Sequence, residues 1–266
     1  MKLFLKTEDE IKLMHQAGQL VGSTLGELAK HIKPGVTTLQ LDNVAEDFIR
    51  SHNAESAFKG SLSPFGEPFP ASICTSVNHV VSYGIPCEKD VLEDGDIISV
   101  ECGVVVCGFR SVGAYTFGVG KVKPSVRTFL NVSKEAFRIG IGKAVAGNHV
   151  GDIGFGIRQH TMAGEYRAVG EQCGHGIGRC LNEDPLIPLN GKRGRGLMLE
   201  DGMCLTISPT FAMGTSHVKL QSDKWTVFTA ENRITAHFGH TVAVRRGKVE
   251  ILSSFDEIER TEEDYN

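Results

Sequence analysis

Apolar residues at Ile11, Met14, Val21, Leu25 and Ile32 recur at the spacing of one helical face, behind Thr7-Glu8-Asp9-Glu10, a capping box. The periodicity predicts a long first helix that ends at Lys33-Pro34-Gly35. Thr38 then caps a second helix, whose Leu41, Val44, Ala45, Phe48 and Ile49 form its apolar face. From Ser72 to Gly120 the period shortens to β-branched runs at 72–77, 97–106 and 115–119, with Asn78-His79 and Cys107-Gly108 as turns. Helices are expected again at 125–139 and 150–163, and strands at 203–209, 225–229 and 233–244.

Helices followed by strands occur twice. Pro34-Gly35-Val36-Thr37-Thr38 before one helix has a weak counterpart in Ala146-Gly147-Asn148-His149-Val150 before another. The order predicts an α+β fold, an antiparallel sheet duplicated about a pseudo-twofold axis with helices outside and a cleft between the halves. No linker or compositional break divides the chain, so 1–266 reads as a single domain, and the acidic end from Asp256 reads as a solvated tail.

At 41% hydrophobic residues the chain can build a sizeable core. A net charge of -4 gives no overall pull toward nucleic acid or anionic membrane, which argues against sequence-specific nucleic-acid binding. No apolar run reaches the length of a membrane span. Seven cysteines form no paired framework and imply reduced thiols and a cytoplasmic setting.

Further motifs follow one another in order: Gly84-Ile85-Pro86, Asp94-Gly95-Asp96-Ile97, Cys173-Gly174-His175-Gly176-Ile177-Gly178, Gly202-Met203 and Trp225-Thr226-Val227. With the opening helix and Lys33-Pro34-Gly35-Val36-Thr37-Thr38, the whole chain resembles the type I methionine aminopeptidases of peptidase family M24, which have the pita-bread fold. The resemblance implies removal of an initiator methionine by two divalent metals held by two aspartates, one histidine and two glutamates, with two further histidines assisting.

Carried over position by position, that ligand set changes. The two aspartate positions are Glu101 and Val112, the histidine is His175, and the two glutamate positions are Ser208 and Gly239. The assisting histidines correspond to Tyr83 and Asn182. Three of the five ligand positions thus lack a charged donor, and two protein ligands are fewer than a catalytic zinc site usually offers. No metal and no cofactor are therefore expected. A replacement set of Glu101, His175 and His237 stands against a packed His237. Glu101, deprived of cations, is expected to pair with Arg110 or His175, with a surface turn as the equal alternative for Arg110. At the family's methionine pocket the chain has Cys74, Leu181 and Trp225.

The leading expectation from the sequence is a methionine aminopeptidase-like pseudoenzyme, its dimetal site defective, that binds a peptide N-terminus, the ribosome or a small ligand. One alternative is a metal-independent hydrolase similar to creatinase, using His175 and Glu101 as its acid–base pair. A second is a residual methionine aminopeptidase. The mobile basic loop 191–196, with Lys192, Arg193 and Arg195, is the candidate contact for a nascent peptide or ribosomal RNA.

Overall fold

The computed structural model describes residues 3–162, 165–214 and 217–264. The first half contains α1 (Glu8–Ala29), α2 (Thr38–Ser51), β1 (Glu55–Ser56), β2 (Ile73–Val77), β3 (Val80–Ser82), β4 (Ile97–Val106) and β5 (Phe109–Gly118). The second half opens with α3 (Pro124–Ile141) and α4 (Val150–Thr161), followed by β6 (Tyr166–Val169), β7 (Gln172–Gly176), β8 (Glu183–Pro188), β9 (Cys204–Ile207) and β10 (Thr210–Met213). It closes with β11 (Val218–Leu220), β12 (Val227–Thr229), β13 (Thr235–His237), β14 (His240–Val244), β15 (Val249–Ile251) and α5 (Asp256–Asp264).

The capping box at Thr7 is formed from both sides. The second helix starts one residue earlier than expected. Thr37, not Thr38, is its cap, because Gln40 can return a hydrogen bond to the Thr37 amide. Cys107 and Gly108 both have positive φ, as a two-residue hairpin turn demands, and they join β4 to β5. β5 is longer than the expected 115–119. The polar and small residues of Arg110-Ser111-Val112-Gly113-Ala114 hide its first half from a periodicity reading, while β4 pairs with its whole length. Ala163, the expected end of α4, lies outside the described residues.

β4 carries β1 and β2 along one edge and β5 along the other. The second large sheet runs β15-β14-β9-β7-β8. Ala114 of β5 exchanges backbone hydrogen bonds with Gly239 at 2.9 and 3.0 Å, which ties the two sheets into one platform. The largest buried cluster lies against the helices and draws on both halves, through Val21, Val100, Tyr115, Phe137, Leu205 and Phe238. The predicted α+β architecture of twinned antiparallel sheets and outer helices is the one observed.

The acidic end is not a solvated tail. It forms α5 and sinks Ile258, 0% exposed, into the largest cluster. Its approach is made possible by Gly18, Gly22 and Gly26 on one face of α1. A Cβ at Gly18 or Gly22 would stand 2.3 or 2.4 Å from the carbonyl oxygen of Leu252 or Ser254, and one at Gly26 would stand 2.7 Å from the Glu257 Cβ. Among the described residues no helix is long and apolar enough to cross a membrane.

Candidate functional site

Residues directly opposite across a strand pair share a face, so the registers Cys74↔Glu101 and Glu101↔Ala114 put Cys74 and Glu101 on one side of the platform with Ala114. The Ala114–Gly239 bridge continues that row into the second half. Val112, two residues along β5, lies on the same side. His175 of β7 pairs in register with Thr206 of β9, and Ser208 follows two residues after Thr206. Glu101, Val112, Ser208 and Gly239 are thus brought to the seam between the two sheets, with His175 on the strand beside β9.

At the seam, Ser208 Oγ and His237 Nε2 are 2.5 Å apart, and Ser208 also bonds the Glu101 carboxylate. Hydrogen-bond accounting orders this chain. A serine hydroxyl has one proton, so when it donates to ionised Glu101 it accepts from the His237 Nε2–H. When Glu101 is protonated the direction can reverse. Burial pushes the Glu101 carboxyl up to about 7, with the Ser208 hydrogen bond pulling in the opposite direction. Burial holds His237 down at about 4, so its imidazole is neutral near pH 7. His175 is also lowered by burial, and its Nδ1 lies 2.8 Å from the Gly176 carbonyl oxygen, which leaves Nε2 as the nitrogen for other partners.

Arg110 does not reach this cluster. It pairs with Val105, four residues beyond Glu101 along β4 and therefore roughly 13 Å away. Its guanidinium bonds the Arg179 carbonyl, and Ser208 takes the role expected of Arg110 or His175. Nor do Glu101, His175 and His237 form the replacement donor set. Among the described residues no three His, Cys, Asp or Glu side chains are grouped to hold a cation.

Cys74, Val112, Leu181 and Trp225 belong to one apolar cluster with Phe69. Trp225 packs edge-on against Phe69, centroids 5.0 Å apart, and the Tyr83 ring centroid lies 5.9 Å away. The indole N–H of Trp225 is buried and has no hydrogen-bond partner among the described residues. Asn182 and Leu181 sit in a turn fixed by their neighbour Glu183, whose carboxylate takes a buried 2.6 Å ion pair from Lys6 and a 3.1 Å bond from the Cys180 amide. Neither Lys6 nor Phe69 gave a sequence signal, since both depend on contacts between distant segments. Thr241 was also missed. Its hydroxyl bridges the Val112 amide and carbonyl at 2.8 and 2.9 Å.

The basic loop is anchored, not mobile. The Gly194 amide donates to Asp152 at 2.7 Å and the Gly151 amide to the Arg195 carbonyl at 3.0 Å, both at the start of α4. All seven cysteines are free thiols.

The model of metallopeptidase family M24 matches residues 12–246. The chain belongs to that family. It is 45% identical over 251 residues to a methionine aminopeptidase of Clostridium acetobutylicum, covering 94% of this chain and 98% of that one. To methionine aminopeptidase 1 of Bacillus subtilis it is 38% identical, with 94% and 99% coverage. The crystal structure of methionine aminopeptidase from Rickettsia prowazekii superimposes with a TM-score of 0.91 at 35% identity, covering 95% of this chain and all of that one. The M24 chain therefore has the pita-bread fold and groups with the type I methionine aminopeptidases.

These likenesses overturn two expectations. Near full-length identity of 45% to a methionine aminopeptidase argues for catalysis, against a pseudoenzyme that only binds. The expectation that no cofactor is required falls as well, because the matched family is one of metallopeptidases. Both expectations weighed a handful of positions against a framework that matches over almost its entire length.

Proposed function

We propose that this chain is a divergent methionine aminopeptidase with residual activity, releasing an N-terminal methionine from short peptides. The observation that carries the reading is the 45% identity to a methionine aminopeptidase across 94% of the chain. The apolar cluster of Phe69, Cys74, Leu181 and Trp225 supports it, because that cluster borders Glu101 through the Cys74 pair and has the character an unbranched thioether side chain needs.

The family implies divalent metal, and the residues here fit a two-metal centre incompletely. Val112 offers hydrocarbon, Gly239 has no side chain, and Ser208 is already bonded to His237 and Glu101. Glu101 and His175 are donors of the right kind at family ligand positions, and a bound cation would supply Lewis acidity and a more acidic water.

What the chain's own groups do is handle protons. Ionised Glu101 accepts a proton from the attacking water and, with its carboxyl poised near 7, can return it to the departing amine. Ser208 and His237 hold that carboxylate in position and adjust their donation as it changes charge. In the same reading, exposed Lys192, Arg193 and Arg195 are the surface that would meet a nascent chain or the ribosome, in the cytoplasm.

Release of free methionine from a methionyl tripeptide by the purified protein, with and without added manganese or cobalt, is the direct test. Methionine release that Glu101→Gln lowers by about a hundredfold or more supports the reading. No release above the buffer rate at any metal concentration overturns it.

A further inference from the structure

Strand alternation turns Tyr115 and Phe117 away from the cleft, toward the helices. There, between the end of α1, β5 and α3, lies a half-open cavity of about 620 Å³, inside the size range of small-molecule sites. Nothing in the aminopeptidase chemistry uses it. Its wall is divided into two kinds of surface. Ile32, Pro34, Phe117, Val122 and Leu130 supply an apolar side.

Lys30, Lys33, Arg127 and Lys134 supply four cations, and among the described residues no carboxylate-bearing one lines the cavity. Lys30 pairs with Glu27 just outside, at 2.8 Å, and Lys134 leans on the Tyr115 hydroxyl at 2.5 Å and over its ring at 4.6 Å. With Lys30 offset in part by Glu27, the cations gathered in this concavity of a chain with net charge -4 still focus a positive field that attracts anions.

A guanidinium fork and ammonium groups around a recess suit a phosphate, and the apolar wall suits a body attached to it. We propose that this cavity is a second ligand site, for a small phosphate monoester with an apolar or aromatic body of about nucleotide size. An extended polyanion is disfavoured, because the cations face one cavity and do not form a stripe across the surface. The cavity lies on the helix side of β5, opposite the face that carries Ala114. Thr116, which lines it, exchanges hydrogen bonds of 2.8 and 2.9 Å with the backbone of His237, so an occupant would rest against the wall that positions the Ser208–His237 pair.

Titration calorimetry of the full chain at low ionic strength, with adenosine monophosphate, adenosine and inorganic phosphate as separate probes, tests the assignment. Saturable one-to-one binding of the monophosphate is expected, with adenosine giving no heat and inorganic phosphate binding at least about tenfold more weakly. Lys33→Glu with Arg127→Glu should weaken monophosphate binding by about thirtyfold or more while leaving the melting curve unchanged, because both side chains are exposed. Should the double variant fail to fold, Arg127→Ala alone is read for a smaller loss. Absence of saturable binding up to about 10 mM, or affinity untouched by the charge changes, overturns the site. Inorganic phosphate binding as tightly as the monophosphate overturns the role given to the apolar wall. The readout is independent of peptide hydrolysis, so its failure and that of the aminopeptidase reading are separable.

Discussion

Burial keeps the Glu101 carboxyl near 7, and this has a consequence for stability as well as for turnover. A carboxyl whose folded pKa lies above its unfolded value of about 4.5 holds a proton that the unfolded chain releases, so stability is lost as pH rises from about 4.5 to about 7. The shift corresponds to about 3 kcal/mol at most. Glu101→Gln removes that loss. Its melting temperature should match the wild type near pH 4.5 and exceed it by several degrees near pH 8, in thermal denaturation at both values. Methionine release should instead climb with pH through about 7 in the wild type and be lost in the variant.

Val112, 3% exposed among apolar neighbours, gives a second test. Val112→Asp buries a carboxyl there and should cost about 2–4 kcal/mol by urea denaturation, with part of that recovered on adding manganese if the restored donor joins Glu101 and His175. His240 has a related dependence of opposite sign. Its ring packs tilted against Phe255, centroids 3.8 Å apart, and burial keeps its imidazole down near 3. The unfolded chain therefore takes up a proton first, and stability falls as pH drops below about 6.5. His240→Phe should flatten that fall, measured by urea unfolding at about pH 4.5 and 7.

The sequence identified Glu101, Val112, His175, Ser208 and Gly239 individually, because flanking motifs fix their places. It did not reveal the Ser208–His237 contact, which joins residues 29 positions apart, one in the link between β9 and β10 and the other at the end of β13. Arg110 was misjudged because closeness in sequence to Glu101 is distance along an extended hairpin.

Among the secondary-structure elements, the glycine face of α1 is the least expected feature. Three glycines inside a helix cost roughly 1 kcal/mol each relative to alanine, so an isolated helix would gain from their replacement. Here Gly22→Ala would drive a methyl group to within 2.4 Å of the Ser254 carbonyl oxygen. The variant should be less stable than wild type despite its better propensity, with hydrogen exchange accelerated over residues 252–258. Ile258→Ala should remove about 2–4 kcal/mol, read by urea denaturation, because it leaves a void in the main cluster. Periodicity found α1 to α4 within a few residues, whereas α5 escaped it: one buried isoleucine in an acidic stretch carries no repeating pattern, and only the glycines of a helix more than 200 residues earlier explain why the segment docks.

At the scale of the whole molecule, the candidate site is assembled only where the halves meet. Glu101 and Val112 come from the first half, and His175, Ser208, His237 and Gly239 from the second, with Ala114 and Gly239 closing the seam. The architecture was legible because each half repeats helices before strands and every motif keeps its order, while the sense of the chemistry was not, since altered ligand positions alone did not weigh as much as similarity over the full length. The glycine face of α1 adds a condition on when this platform can be completed. The helix leaves the ribosome more than 200 residues ahead of the stretch that covers it, 252–258. During synthesis that face must wait uncovered while all the strands between are made, so this lock on the fold closes only after both sheets have left the ribosome.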